Sequence, residues 1–207
     1  MKNMRYSDHD GLSTPDAAPE AATFAKRPNP VLKWIRTHCL ERTLWRIPRT
    51  NKVLDLCCGY GFYFSINPHA AGIDNDPVSV GNLRAKGFDV QRGNVLAPLP
   101  YADGAFEHVI AHDVLEHFSF DDLNQLFDHV HRVLSSDGCF WVLVPNRRGY
   151  DYGVRIGVGH VLFVTAEEIQ ALIKGRFALE ANYPEPLPRK LGRVFVHNKE
   201  VFKLRKL

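Results

Sequence analysis

Val53-Leu54-Asp55-Leu56-Cys57-Cys58-Gly59-Tyr60-Gly61 reads as a short apolar strand that ends in a tight glycine turn. Val53, Leu54 and Leu56 suit a strand buried on both faces of a parallel sheet. Gly59 and Gly61 let the backbone pass close to a ligand where a Cβ would collide. Asp55 then lies near the carboxyl end of the strand, the lip at which open α/β sheets bind their ligands. A glycine pair after a strand also occurs as a plain βα turn, so the next segment matters. Ala70-Ala71-Gly72-Ile73-Asp74 repeats the pattern, a short strand ending in an acid. Asp76-Pro77 follows as an N-cap with proline at the first helical position. An acid at a second strand tip can accept both hydroxyls of a ribose, so the two tips together describe a nucleoside pocket.

Further along, Gly93-Asn94-Val95, the run Leu99 to Ile110, Val114-Leu115-Glu116-His117 and Arg132 to Gly138 follow in order. With Asp55 to Gly61 and Gly72-Ile73-Asp74, this series resembles the motifs of class I S-adenosylmethionine-dependent methyltransferases, from about Lys52 to about Lys174. The resemblance implies one Rossmann-like α/β domain. Its sheet is mostly parallel and seven-stranded, with helices on both faces and the last strand antiparallel near one edge. It implies S-adenosylmethionine as cofactor, held by Asp55, Cys57, Gly59, Tyr60, Gly61, Asp74, Asn75, Asn94, Val95 and His112. Asn94 stands where many relatives carry Asp; its amide can both donate to and accept from adenine. The acceptor implied is a small molecule.

Composition fits one soluble globular domain. The chain has 207 residues, enough for one full core. Residues 1–28 are rich in Ala, Pro, Asp and Ser and read as a flexible tail, with the domain proper over 29–207. The first residues lead into polar sequence rather than an apolar signal region, and no run approaches the length of a membrane span. The four cysteines include no CxxC pair, which argues against that type of zinc site and suits a reducing cytoplasm. The net charge of +3 is unevenly spread. Lys26 to Lys52 carries eight Lys or Arg against one acid, and Pro100 to Asp128 carries seven acids and no Lys or Arg. Basic segments are most simply a solvated surface, or else attract an anionic partner. No RNA-reading module is present and aromatics do not interleave with the basic residues, so no nucleic-acid partner is expected. Oligomeric state is not legible.

Taken in order, Val31 to about Arg46 reads as a helix, and Phe62 to Asn67 as a helix of about two turns that Pro68 breaks. The free N–H groups of that second helix would face the cofactor's carboxylate. A helix follows from Pro77 to Lys86, then strands over Phe88–Gln91 and Glu107–Ala111. Ser119 or Asp121 caps a helix with the apolar stripe Leu123, Leu126, Phe127, Val130, Val133 and Leu134. Cys139–Val144 is the fifth strand. Arg147 to Val164 is a glycine-rich loop, and Thr165 with Glu168 has capping-box spacing for a helix ending by Gly175. Phe177–Tyr183 and Arg193–Leu204 read as the last strands.

Methyl transfer from a sulfonium needs alignment and exclusion of water rather than a protein nucleophile. A base is needed only when the acceptor carries a proton of high pKa. His117 and His160 are the candidates for that role, each with a plain structural alternative. Arg148, Arg155 and His160 of the loop are the candidates for binding the acceptor. Arginine forks fit carboxylate or phosphate, so an anionic acceptor is expected unless those side chains simply face water. No metal ligand set is apparent. A nicotinamide enzyme fits poorly, because Gly59-x-Gly61-x-x-Phe64 lacks a third glycine and Asp74 comes only 13 residues after Gly61. A methyltransferase-like binding or scaffold subunit with little catalytic power is the non-enzymatic alternative, which a turnover assay separates.

Overall fold

All four residues of the opening strand, Val53–Leu56 (β1), are buried, as a strand covered on both faces requires. The computed structural model describes residues 42–145, 166–185 and 199–207. Parallel to β1 on one side runs Ala71–Asp74 (β2), followed outward by Asp89–Arg92 (β3). On the other side lie Phe106–His112 (β4) and Leu134–Pro145 (β5), also parallel. Lys199–Lys206 (β7) runs antiparallel to β5, and Phe177–Glu185 (β6) closes the edge antiparallel to β7. The seven-stranded order is β3-β2-β1-β4-β5-β7-β6. The chain winds outward from β1 to β3, then returns to β4 on the other side of β1. The β1–β4 boundary is therefore the switch point, where a crevice opens beyond the carboxyl ends of the strands.

Alternation along the strands feeds two apolar layers. Leu54, Leu56, Val109, Ala111, Phe140, Val142 and Phe202 face one of them. It is covered by Phe120–Val133 (α2) and Ala166–Ile173 (α3). In α2 the stripe Leu123, Leu126, Phe127, Val130 and Val133 is buried, as its period requires. Ser119 caps α2: its Oγ accepts from the Asp122 N–H, and the Asp122 carboxylate accepts from the Ser119 N–H. On the opposite face Val53, Ile110, Trp141, Leu143 and Val201 meet Val80 and Leu83 of Pro77–Ala85 (α1), with Tyr63, Phe64, Leu44 and Ile47. Asp76 caps α1, accepting from the N–H groups of Val78 and Ser79.

Several local expectations need correction. The two-turn helix after Gly61 is a single 3-10 turn, Tyr63–Ser65. Asn67 ends it ahead of Pro68, because its buried side chain donates to the Thr50 carbonyl at 2.9 Å and accepts from the His69 N–H at 3.2 Å. Leu134 is not in the helical stripe but is the first residue of β5, which starts five residues before the expected Cys139. The extra residues 135–138 loop out as a register shift against β4, with Asp137 at φ 61°. Of the expected helix 31–46, Leu44–Arg46 is a 3-10 turn. Residues 1–41, the 147–164 loop with the Thr165 cap, and the start of the last strand at 193–198 lie outside the described residues.

Candidate functional site

The glycine turn wraps around one carboxylate. Asp74, at the tip of β2, accepts from the Gly59 N–H at 2.7 Å through one oxygen and from the Asp76 N–H at 2.9 Å through the other. A carboxylate has about four lone-pair sites. Both oxygens thus keep capacity to accept further hydrogen bonds. The turn reaches Asp74 only because Cys57, Gly59 and Gly61 take positive φ, at 50°, 50° and 80°. The two glycines are needed for different reasons. A Cβ on Gly59 would meet only the Cys57 carbonyl oxygen, at 3.9 Å, so the obstacle is backbone strain and any ligand laid over the turn. A Cβ on Gly61 would run into the Leu83 side chain of α1.

Asp55, beneath the turn, is buried, and its carboxyl is pushed up to about 8, chiefly by burial and then by the negative charge of Asp74. Burial and the neighbouring negative charge thus favour its neutral form. Cys57 is partly buried and its thiol is raised too, by burial first and then by Asp74 and Asp55, so it is a packing group rather than a thiolate. Tyr60 is 72% exposed at the tip of the turn, and Asn75 is exposed beside Arg92. Asn94 Oδ1 accepts the Leu96 N–H at 2.9 Å, which fixes the amide and leaves its N–H groups and one oxygen lone pair for a base. The Val95 side chain is in the core, so only its backbone can meet a ligand.

Across the switch point, β4 ends in His112 and Asp113. Ala111 is in register with Leu56, so His112 stands level with Cys57, and its ring lies 5.9 Å from that of Phe62. Asp113 takes φ 55° while its N–H donates to the Leu143 carbonyl at 2.9 Å. Lys199, the first residue of β7, reaches this corner from the end of β5, where it is in register with Pro145. Its Nζ donates to Asp113 Oδ2 at 2.7 Å and also contacts His112 Nε2. Two residues beyond the quoted Val114 comes Glu116, on the 3-10 turn Leu115–His117. Only 3% of it is exposed, and no other described residue hydrogen-bonds to either carboxyl oxygen. Its carboxyl is pushed up to about 8 by burial and then by Asp113, against the opposing pull of its own amide and of Lys199. His117, beside it, is half-buried, with its N–H donated to the Val114 carbonyl at 3.1 Å. Arg148, Arg155 and His160 lie outside the described residues. Among the described residues, no three His, Cys, Asp or Glu side chains gather to hold a metal ion.

Residues 54–142 match the family model for a methyltransferase domain, which spans both halves of this crevice. That segment is similar to a methyltransferase domain, and the sheet built around it has the Rossmann-like fold of class I S-adenosylmethionine-dependent methyltransferases. Solved structures share its fold. The PH0226 protein from Pyrococcus horikoshii OT3 is 22% identical, with 83% of this chain and 90% of that chain covered at a TM-score of 0.64. An S-adenosylmethionine-dependent methyltransferase from Mesorhizobium loti is 18% identical, with coverage of 80% and 96% and a TM-score of 0.60. Another, from Methanosarcina mazei, is 16% identical, with coverage of 78% and 94% and a TM-score of 0.60. No curated protein matches the sequence. S-adenosylmethionine is the cofactor that the likeness to methyltransferases implies. The residues present fit it: Asp74 retains acceptors suited to the ribose, and Asp55 is a buried acid whose charged form a nearby ammonium would favour.

Proposed function

We propose that this methyltransferase methylates a small, anionic molecule, with the cofactor on the β1–β2 side of the crevice and the acceptor towards β4. The observation that carries the cofactor half is the Asp74 carboxylate, fixed by the Gly59 and Asp76 amides with acceptor capacity to spare. When bound, S-adenosylmethionine supplies a methyl group already activated by its sulfonium. The chain's own work is orientation. Asp55, Cys57, Gly59, Tyr60, Gly61, Asp74, Asn75, Asn94, Val95 and His112 hold the cofactor in this reading. Arg148, Arg155 and His160 bind the acceptor in this reading, and His117 and His160 are its two histidine candidates for taking a proton where one is lost. Support for an anionic acceptor comes from arginine chemistry and from the basic character of the segments either side of the core sequence. The reading involves no nucleic acid. No helix among the described residues is long and apolar enough to cross a membrane. The free thiols of Cys57, Cys58 and Cys139 suit a reducing cytoplasm.

Calorimetry with S-adenosylmethionine, S-adenosylhomocysteine and nicotinamide dinucleotides tests the cofactor half; only the first two are expected to bind. For the acceptor half, Arg148→Ala, Arg155→Ala and His160→Ala are expected to lower turnover while leaving cofactor affinity within about twofold, a shift of less than 0.5 kcal/mol. Normal turnover in all three removes this loop from the acceptor site. A parallel loss of cofactor affinity assigns it to the donor instead.

A further inference from the structure

A buried carboxyl whose oxygens meet no donor is costly unless something else supplies one. Apart from its own amide, Glu116 is such a group among the described residues, and its place in the fold limits what that something is. It follows β4 at the switch point, on the acceptor side of the crevice. It is close enough to Asp113 and Lys199 to feel both charges, and those two are paired to each other at 2.7 Å. Lys199 is therefore committed to Asp113 and His112, not to Glu116. The corner holds one lysine near two acids and a histidine, and the second acid meets no donor from another described residue.

We infer that Glu116 receives the proton of the methyl acceptor, so that the atom methylated is an O–H or N–H heteroatom, with the Asp113–Lys199 pair as the device that positions it. This rests on the methyl-transfer reading above and deepens it. In the step, the acceptor heteroatom forms a bond to the methyl carbon while the carbon–sulfur bond breaks and its electron pair stays on sulfur. The acceptor's proton passes to a Glu116 carboxylate oxygen, which becomes a neutral carboxylic acid in a site that favours that form. A carboxylate held in an apolar, acid-flanked site is a stronger base than an exposed one, which suits an acceptor that does not ionise readily. The charged groups close enough to act on Glu116 are Asp113, just after β4, and Lys199 of β7. Asp113 and burial weaken its acidity, while Lys199 strengthens it.

The test uses the full chain with trideuteromethyl S-adenosylmethionine in a metabolite extract, the labelled product being identified by mass and fragmentation. Label on an oxygen or nitrogen that previously bore hydrogen is expected; label on carbon, on a tertiary amine or on a thioether overturns the inference. With that product's precursor as substrate, Glu116→Gln is expected to lower kcat by about 10²-fold or more. Cofactor affinity should stay unchanged, and the rate should lose its rise towards pH 8. His117→Ala keeps that rise. Wild-type pH behaviour in Glu116→Gln overturns the role. If Glu116→Gln does not fold, Lys199→Met serves: removal of the cation moves the rising limb to higher pH, and an unmoved limb counts against Glu116. A chain that binds S-adenosylmethionine and forms no labelled product at all overturns the methyl-transfer reading itself, which separates the two failures.

Discussion

Asp74 is where chain, turn and ligand meet. Its carboxylate ties the glycine turn to α1 and keeps acceptors for the ribose. Asp74→Ala is expected to weaken S-adenosylmethionine binding by ~1.5–3 kcal/mol, the range for hydrogen bonds to a charged group, which is roughly 10- to 150-fold in Kd. Calorimetry checks this, and unchanged affinity removes Asp74 from the site. Gly59→Val is expected to do more. Its φ of 50° is strained for any branched residue, and the added atoms stand over the turn where the ligand must approach. A folded Gly59→Val protein with normal affinity would show that the turn does not carry the cofactor.

The elements around the crevice are unequal in length, and side chains make up the difference. The first crossover has only one 3-10 turn, so Asn67 and the Phe64–Phe88 stack, at 4.7 Å between centroids, hold what a helix would otherwise hold. No helix covers the β3–β4 connection either. There Arg132 of α2 donates to the carbonyls of Leu99 and Tyr101 and to the Asp103 carboxylate, while the Tyr101 hydroxyl donates to the Gly72 carbonyl. Arg132 thus makes α2 the support for the segment after Asn94. Loss of the α2 cap is therefore expected to be felt as global stability. Ser119→Ala should cost about 1 kcal/mol, read from denaturant midpoints at constant m-value, because it removes an acceptor for the Asp122 amide at the head of the helix.

The whole molecule carries two raised acids on either side of the switch point, Asp55 and Glu116, each pushed up to about 8. In the unfolded chain they release their protons near 3.8 and 4.5. Between those values the folded state binds more protons, so their contribution to stability is full below about pH 4 and is lost as pH rises through about 8. The slope is at most about 1.4 kcal/mol per pH unit per group. Urea unfolding at pH 5, 6.5 and 8 is expected to show that decline in the wild type, flattened in Asp55→Asn and in Glu116→Gln. A slope unchanged in both variants would mean that the two carboxyls titrate normally. Binding of S-adenosylmethionine, whose ammonium favours ionised Asp55, should release a proton near pH 7, visible as a dependence of the calorimetric heat on buffer ionisation enthalpy.

Strand tips, glycine turn and helix caps were legible from residue order, because each is a short-range matter. Apolar runs ending in acids place Asp55 and Asp74, and Asp76-Pro77 starts α1 through contacts three residues long. The α2 stripe is equally local, although its final Leu134 joins β5 once sheet pairing outweighs helical periodicity. The resemblance implied a mostly parallel seven-stranded sheet with its last strand antiparallel near one edge, and the strand order itself came from the tertiary structure. What stayed hidden were contacts between distant segments and the loss of solvent that comes with them. Lys199 sits 86 residues from Asp113 in sequence, and only an antiparallel β7 beside β5 brings its amine to the end of β4. Glu116 was visible beside His117, but nothing in its neighbours says that water and partners are withheld from it. Burial is a property of the packed molecule, and burial is what turns an ordinary glutamate into a base for the acceptor.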